Sequence, residues 1–287
     1  MTPAQLPQCV HCGARELHAS AGAVEAQRDE RFIRSFLSRA TPATQAILIF
    51  NLCIYVLMAA AAGAQFLRRL FVPADTLTLL AFGAKTNALL HAGEYFRLIT
   101  PIFIHIGILH LVMNSYALWT TGPIVERLYG SARFLLIYLL AGMGGVIGSY
   151  LGHRTGANQS IPSAGASGAI FGLFGVLAAF GWKYRAELPQ VFRRAFGAGV
   201  MPVIVINLLF GFSVPYIDNS AHIGGLITGA LLALIVPYIR PGLERISKSG
   251  LLILFICLAM IVWSFACAWQ TSGRYMPRRI PSVTRTG

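Results

Sequence analysis

Asn219-Ser-Ala-His-Ile-Gly-Gly-Leu-Ile-Thr-Gly-Ala-Leu-Leu-Ala-Leu-Ile-Val-Pro-Tyr-Ile239 contains no Lys, Arg, Asp or Glu. A helix of about 20 such residues spans a hydrocarbon core of about 30 Å, so the run reads as a membrane crossing. One group is out of place in it. His222 sits near its start, flanked by small residues at Ala221, Gly225 and Gly229, every fourth position. An ionisable residue in such a span is a functional-site hypothesis by default, and a small-residue stripe lets helix backbones approach closely in lipid.

Six further apolar runs surround it: Ala43 to Leu67, Ile106 to Val125, Phe134 to Leu151, Ser167 to Trp182, Ala195 to Tyr216 and Leu251 to Trp269. With 56% hydrophobic residues, 11% charged ones and a mean hydropathy of +0.65, the chain lies far from the roughly 25% charge of a soluble domain. The expected fold is all-α, a polytopic transmembrane bundle of seven spans. The expected segments are a polar cytosolic stretch over 1–42, a six-span core over 43–239, a connector and seventh helix over 240–270, and a basic tail over 271–287.

The amino end does not read as a cleavable signal, since its first 42 residues are polar, nor as an acid-poor transit peptide, since it carries Glu16, Glu25, Asp29 and Glu30. Placing that end inside puts fourteen Lys and Arg on the cytoplasmic side and nine opposite, a bias in the direction the inner leaflet requires. A bacterial plasma membrane is the expected home. The net charge of +13 then reflects basic loops beside an anionic leaflet and needs no nucleic-acid partner.

Two other runs carry polar islands of the same kind, His105 to Asn114 and Gly165-Ala-Ser167-Gly168. His110 and Ser167 are 57 positions apart (167 − 110), and Ser167 and His222 are 55 (222 − 167). Two crossings and their connections take about that many residues. All three islands are therefore expected near one end of parallel spans, sharing a cavity. Ser167 is the candidate nucleophile, and its hydroxyl needs an adjacent base, for which His222 is the best placed. His110 and Asn114, one helical turn apart, are candidate oxyanion donors beside the Ser167 backbone NH. His105 is assigned a structural, loop-anchoring role.

A third, acidic member is not evident. Glu126 lies 16 residues beyond His110, about 24 Å along a helix, and so belongs at the opposite face. Asp218 could touch His222 across one turn, but the preferred reading is a solvated carboxylate at a helix start. A Ser-His dyad is expected. Cys53, Cys257 and Cys267 read as small hydrophobes. Cys9 and Cys12 form half of a zinc-ribbon pattern without a second pair; His18 could serve as a further ligand, but a flexible cytosolic tail or a vestigial ribbon is the preferred reading and no metal is assigned.

These residues together resemble the rhomboid family of intramembrane serine proteases over about residues 43 to 239. The resemblance rests on His105-Ile-Gly-Ile-Leu-His110-Leu-Val-Met-Asn114, on Gly165-Ala-Ser167-Gly168, on Ala221-His222-Ile-Gly-Gly225 and on Gly122-Pro-Ile-Val-Glu126. It implies peptide-bond hydrolysis in or beside transmembrane segments of substrate proteins. Ser167 would attack, His222 would act as base and then acid, and His110, Asn114 and the Ser167 NH would hold the oxyanion. Gly165, Gly168, Gly225 and Glu126 would be supporting residues, with no cofactor. Where the family often carries Trp-Arg, this chain has Phe96-Arg97, which keeps a ring at an amphipathic interfacial position. The seventh run resembles the additional helix of some members and is expected to be peripheral to catalysis. Competing readings are a non-catalytic relative that binds transmembrane clients, and a transporter, which would call for repeated halves or mid-span acids.

Overall fold

Short connections and apolar faces make this chain a helical bundle wrapped around one deeply buried helix. The computed structural model describes residues 10–61, 65–153, 161–214, 217–240 and 248–276, with side chains from residue 23 onward. Its helices are α1 (Val10–Ser38), α2 (Pro42–Ala60), α3 (Phe66–Arg69), α4 (Thr76–Phe82), α5 (Asn87–His91), α6 (Ile108–Tyr129), α7 (Ser131–Gly152), α8 (Ser167–Lys183), α9 (Gln190–Ala195), α10 (Met201–Ser213), α11 (Asn219–Ile235) and α12 (Lys248–Ser272). Among the described residues the only strand-like feature is a bridge between Lys85 and Ser163.

Three stretches are long and apolar enough to cross a membrane, Ala23–Ala60, Ser131–Gly152 and Lys248–Ser272, and three shorter apolar helices accompany them. The large apolar side chains that α12 leaves exposed, including Phe255, Val262, Trp263 and Trp269, suit a lipid face. This is a multi-pass membrane protein.

α8 is the hub. Nearly every residue from Gly168 to Phe180 is buried, as expected for a helix that is apolar all round. It packs most extensively on α11 and α7, and glycines make that possible. A Cβ on Gly225 would collide with the Gly168 carbonyl, and one on Gly229 with that of Gly172. The four-residue stripes read from the sequence therefore form the seam itself.

Several elements depart from expectation. The 1–42 stretch is helical over most of its described residues, α1 continuing to Ser38. Phe32 and Phe36, one turn apart, are buried and meet the Phe192 ring edge-on at 5.4 and 5.0 Å. Cys9 lies outside the described residues, and so does the side chain of Cys12. The first span ends as a helix at Ala60 rather than at Leu67. The fifth run is divided by an extended Phe196 and a short 3-10 turn over Gly197–Val200, leaving only 13 residues in α10. Gly197 has φ +66 there, a value that suits glycine.

Phe96 and Arg97 are both buried within the protein. Arg97 can be enclosed because every face of its guanidinium is used: Glu94 at 2.6 Å, the Leu80 and Ala84 carbonyls at 2.9 and 2.6 Å, and the Tyr275 hydroxyl at 3.3 Å. A buried charge is tolerable only with such pairing. Arg274, just beyond α12, reaches the other Glu94 oxygen at 3.2 Å. The seventh helix thus clips the loop that precedes α6.

Candidate active site

Each polar island occupies the first turn of its helix: His110 is third in α6, Ser167 first in α8 and His222 fourth in α11. The opening residues of a helix have backbone NH groups without intrahelical partners, so the Ser167 NH stands at a donor-rich position.

Gly165 prepares that position. Its φ of +136 excludes most side chains, and a Cβ there would lie 2.6 Å from His110 Cε1 and 2.7 Å from Nε2. Its NH bonds the Pro101 carbonyl at 2.9 Å. The same point lies 3.8 Å from Ser167 Oγ, so the His110 ring, Gly165 and the Ser167 hydroxyl share one small region. Asn114 is buried on the same face, and one of its amide hydrogens goes to the His110 carbonyl at 2.9 Å, leaving the other available. His105, fully enclosed, packs edge-on to His110 with ring centroids 5.3 Å apart.

His222 is held from two sides. Its ring stacks on Phe171, one turn beyond Ser167, at 4.1 Å and 6°. Its Nδ1 lies 3.2 Å from Asn219 Oδ1. Asn219 Nδ2 donates to the Leu208 carbonyl of α10 at 3.1 Å, which leaves Oδ1 as the atom facing the imidazole. An oxygen there accepts, so His222 carries its proton on Nδ1 and keeps the lone pair on Nε2. That is the tautomer a base requires. Among the described residues no hydrogen bond joins Ser167 Oγ to His222, although their helices touch at Gly168 and Ala221; such bonds often tighten only with substrate bound.

Asn219 was not singled out by the sequence reading. The signal was its place three residues before His222, on the same helix face. Gly211 of α10 accommodates it, since a Cβ there would strike the Asn219 amide.

Asp218 caps α11 as expected, its Oδ1 accepting from Ala221 N at 3.0 Å, and it is only partly exposed. Its Oδ2 accepts from Ser149 Oγ in a short contact and from Ser163 Oγ at 2.8 Å. Its link to His222 is the ordinary helical backbone bond at 3.2 Å. Lys85 Nζ donates to Ser149 Oγ at 2.9 Å. Burial pulls the Lys85 ammonium down to about 8, while the Asp218 charge acts to raise it.

Glu126 is at the other end of α6. Its carboxylate accepts from Ala43 N, Thr44 N, Thr44 Oγ1 and Ser131 Oγ at 2.9, 2.8, 2.7 and 2.7 Å, joining α2, α6 and α7 away from Ser167.

A family model described as the Rhomboid domain matches residues 92–239, just over half of the chain. The chain belongs to the rhomboid family. Among curated relatives it is 50% identical over 181 residues to "Rhomboid protease GluP" of Bacillus subtilis (strain 168), covering 62% of this chain and 34% of that protein. It is 39% identical over 141 residues to "Putative rhomboid protease YdcA" of the same organism, covering 49% and 67%. To "RHOMBOID-like protein 6, mitochondrial" of Arabidopsis thaliana it is 37% identical over 171 residues, covering 58% and 52%. This rhomboid thus spans from about a third to two thirds of the length of these relatives.

Proposed function

We propose that this rhomboid is an intramembrane serine protease that hydrolyses peptide bonds in or beside the transmembrane segments of membrane-protein substrates. The observation that carries the reading is the pairing of His222 Nδ1 with Asn219 Oδ1. Asn219 and Phe171 hold an imidazole with its basic Nε2 free, on the helix whose backbone abuts the one that begins with Ser167.

In this reading Ser167 Oγ attacks the scissile carbonyl as His222 Nε2 takes its proton. The oxyanion forms beside the Ser167 NH, the His110 ring and the free Asn114 amide hydrogen. His222 then returns the proton to the leaving amine. Water, deprotonated by the same nitrogen, attacks the acyl ester and releases Ser167.

The spans are α2, α6, α7, α8, the Gly197–Ser213 segment, α11 and α12. The first six form the catalytic core within 43–239. The amino terminus and the Glu126 end face the cytoplasm of a bacterial cell, and Ser167 faces the outer side. The basic residues 271–287 then lie outside.

Purified protein in detergent, incubated with a fluorophosphonate probe, is expected to be labelled in the wild type and not in Ser167→Ala. Equal labelling of the two, or none in a folded wild type, would sink the proposal.

A further inference from the structure

Ser163 stands four residues before Ser167, and Asp218 four residues before His222. Their side chains meet: the Ser163 hydroxyl donates to Asp218 Oδ2 at 2.8 Å, while Asp218 Oδ1 caps α11. We propose that Asp218 is a positioning residue whose carboxylate sets the segment leading to Ser167 against the helix carrying His222, with buried Lys85 as its counter-ion. The proposal rests on the hydrolytic reading of Ser167 and His222.

A helix cap alone needs one oxygen of a side chain at the surface. Here the second oxygen is also used, by two hydroxyls, and the network continues inward. Ser149 of α7 donates to that oxygen and accepts from Lys85 Nζ. Lys85 is 1% exposed, and a buried ammonium requires a counter-charge. Lys85 is also tied to the nucleophile's leading segment through its backbone. Its NH bonds the Ser163 carbonyl at 3.0 Å, and its carbonyl accepts from the Ser163 NH at 2.8 Å. Ser163 is therefore gripped by backbone on one side and by Asp218 on the other.

From Ser163 the chain runs only two residues to Gly165, whose position is locked by Pro101 and the His110 ring. One carboxylate thus joins both partners of the proton transfer. The relation matters because misplacing a reacting group by 1 Å can cost on the order of 10² in rate. His153, whose Nδ1 lies 3.9 Å from Asp218 Oδ2, closes the partly exposed edge of the cluster.

The test uses the full chain in detergent and records two quantities with a fluorophosphonate: the extent of labelling at saturation and its rate constant. Asp218→Ala is expected to keep the extent and lower the rate constant about 30-fold, within the range such misplacement allows. Ser163→Ala, which leaves the cap intact, should lower it about fivefold by the same logic. Asp218→Asn should recover only part of the rate, since its amide keeps one accepting oxygen where the carboxylate uses two, and it leaves Lys85 without a counter-charge. A reduced extent with an unchanged rate constant in the labelled fraction would mean a merely structural role and overturn the proposal.

Hydrogen exchange supplies a readout independent of catalysis. In Asp218→Ala the 161–168 and 218–223 segments should both exchange faster, and in Ser163→Ala at least the 161–168 segment. Faster exchange confined to 218–223 in Asp218→Ala, or no change in Ser163→Ala, would overturn the coupling. A folded wild type that resists the probe would defeat the hydrolase reading, while the exchange pattern would still decide the coupling.

Discussion

The two ends of the bundle each hold a carboxylate that collects several donors, Glu126 buried and Asp218 partly exposed, and the contrast between them separates support from alignment. Glu126 receives four hydrogen bonds from α2 and α7 residues, all in a place with no nucleophile or base. Asp218 receives bonds from Ser163, on the segment leading into Ser167, from Ala221, next to His222, and from Ser149 of α7. The same chemistry, a carboxylate collecting donors at a helix end, thus closes the bundle at one end and, as proposed, registers Ser167 against His222 at the other. Proximity to the reacting atoms separates the two roles.

The contrast breaks most sharply at the reacting residues. Ser167→Ala and His222→Ala should each abolish cleavage of a transmembrane substrate while leaving thermal stability close to wild type; substantial cleavage by either variant would remove the dyad. Next in size is the seam between α8 and α11. Gly225→Ala puts a methyl group against the Gly168 carbonyl, forcing the helices apart, and turnover should fall about 10²-fold. Wild-type turnover in that variant would mean the seam has no influence on the site.

Asn219→Ala comes third. Without the oxygen that holds Nδ1–H, His222 samples the wrong tautomer, and kcat should fall roughly tenfold, part of the 10²–10⁴ that acid-base catalysis contributes. KM should hold steady, and a change in KM alone would argue for substrate contact instead. The smallest effect on rate belongs to Glu126→Gln. It should lower stability by about 3 kcal/mol, since buried donors lose an ionised partner, with the labelling rate constant of the folded fraction unchanged. A large rate loss there would erase the distinction between the two carboxylates.

The legible parts were those written in spacing. Apolar runs marked the spans, intervals of 57 and 55 residues (167 − 110 and 222 − 167) put three islands at corresponding helix starts, and glycines every fourth residue marked the α8 and α11 seam. Less legible were features that depend on a partner distant in the chain. Phe32 and Phe36 look like isolated rings in a polar stretch until Phe192 covers them. Arg97 looks interfacial until four acceptors surround it. The interruption at Phe196 and Gly197 is invisible to hydropathy, because the residues on both sides are equally apolar.

By itself the sequence determined that the chain is a membrane bundle and which hydroxyl and imidazole to single out, because solvation in lipid penalises polar groups within a span. Tertiary structure alone decided that Asn219 Oδ1 faces His222 Nδ1, and that Asp218 gathers two serine hydroxyls besides capping its helix. Those outcomes turn on hydrogen bonds to the Leu208 carbonyl and from the Ser149 and Ser163 hydroxyls. Hydrogen bonds require donor and acceptor within about 3 Å, a condition that no spacing along the chain specifies.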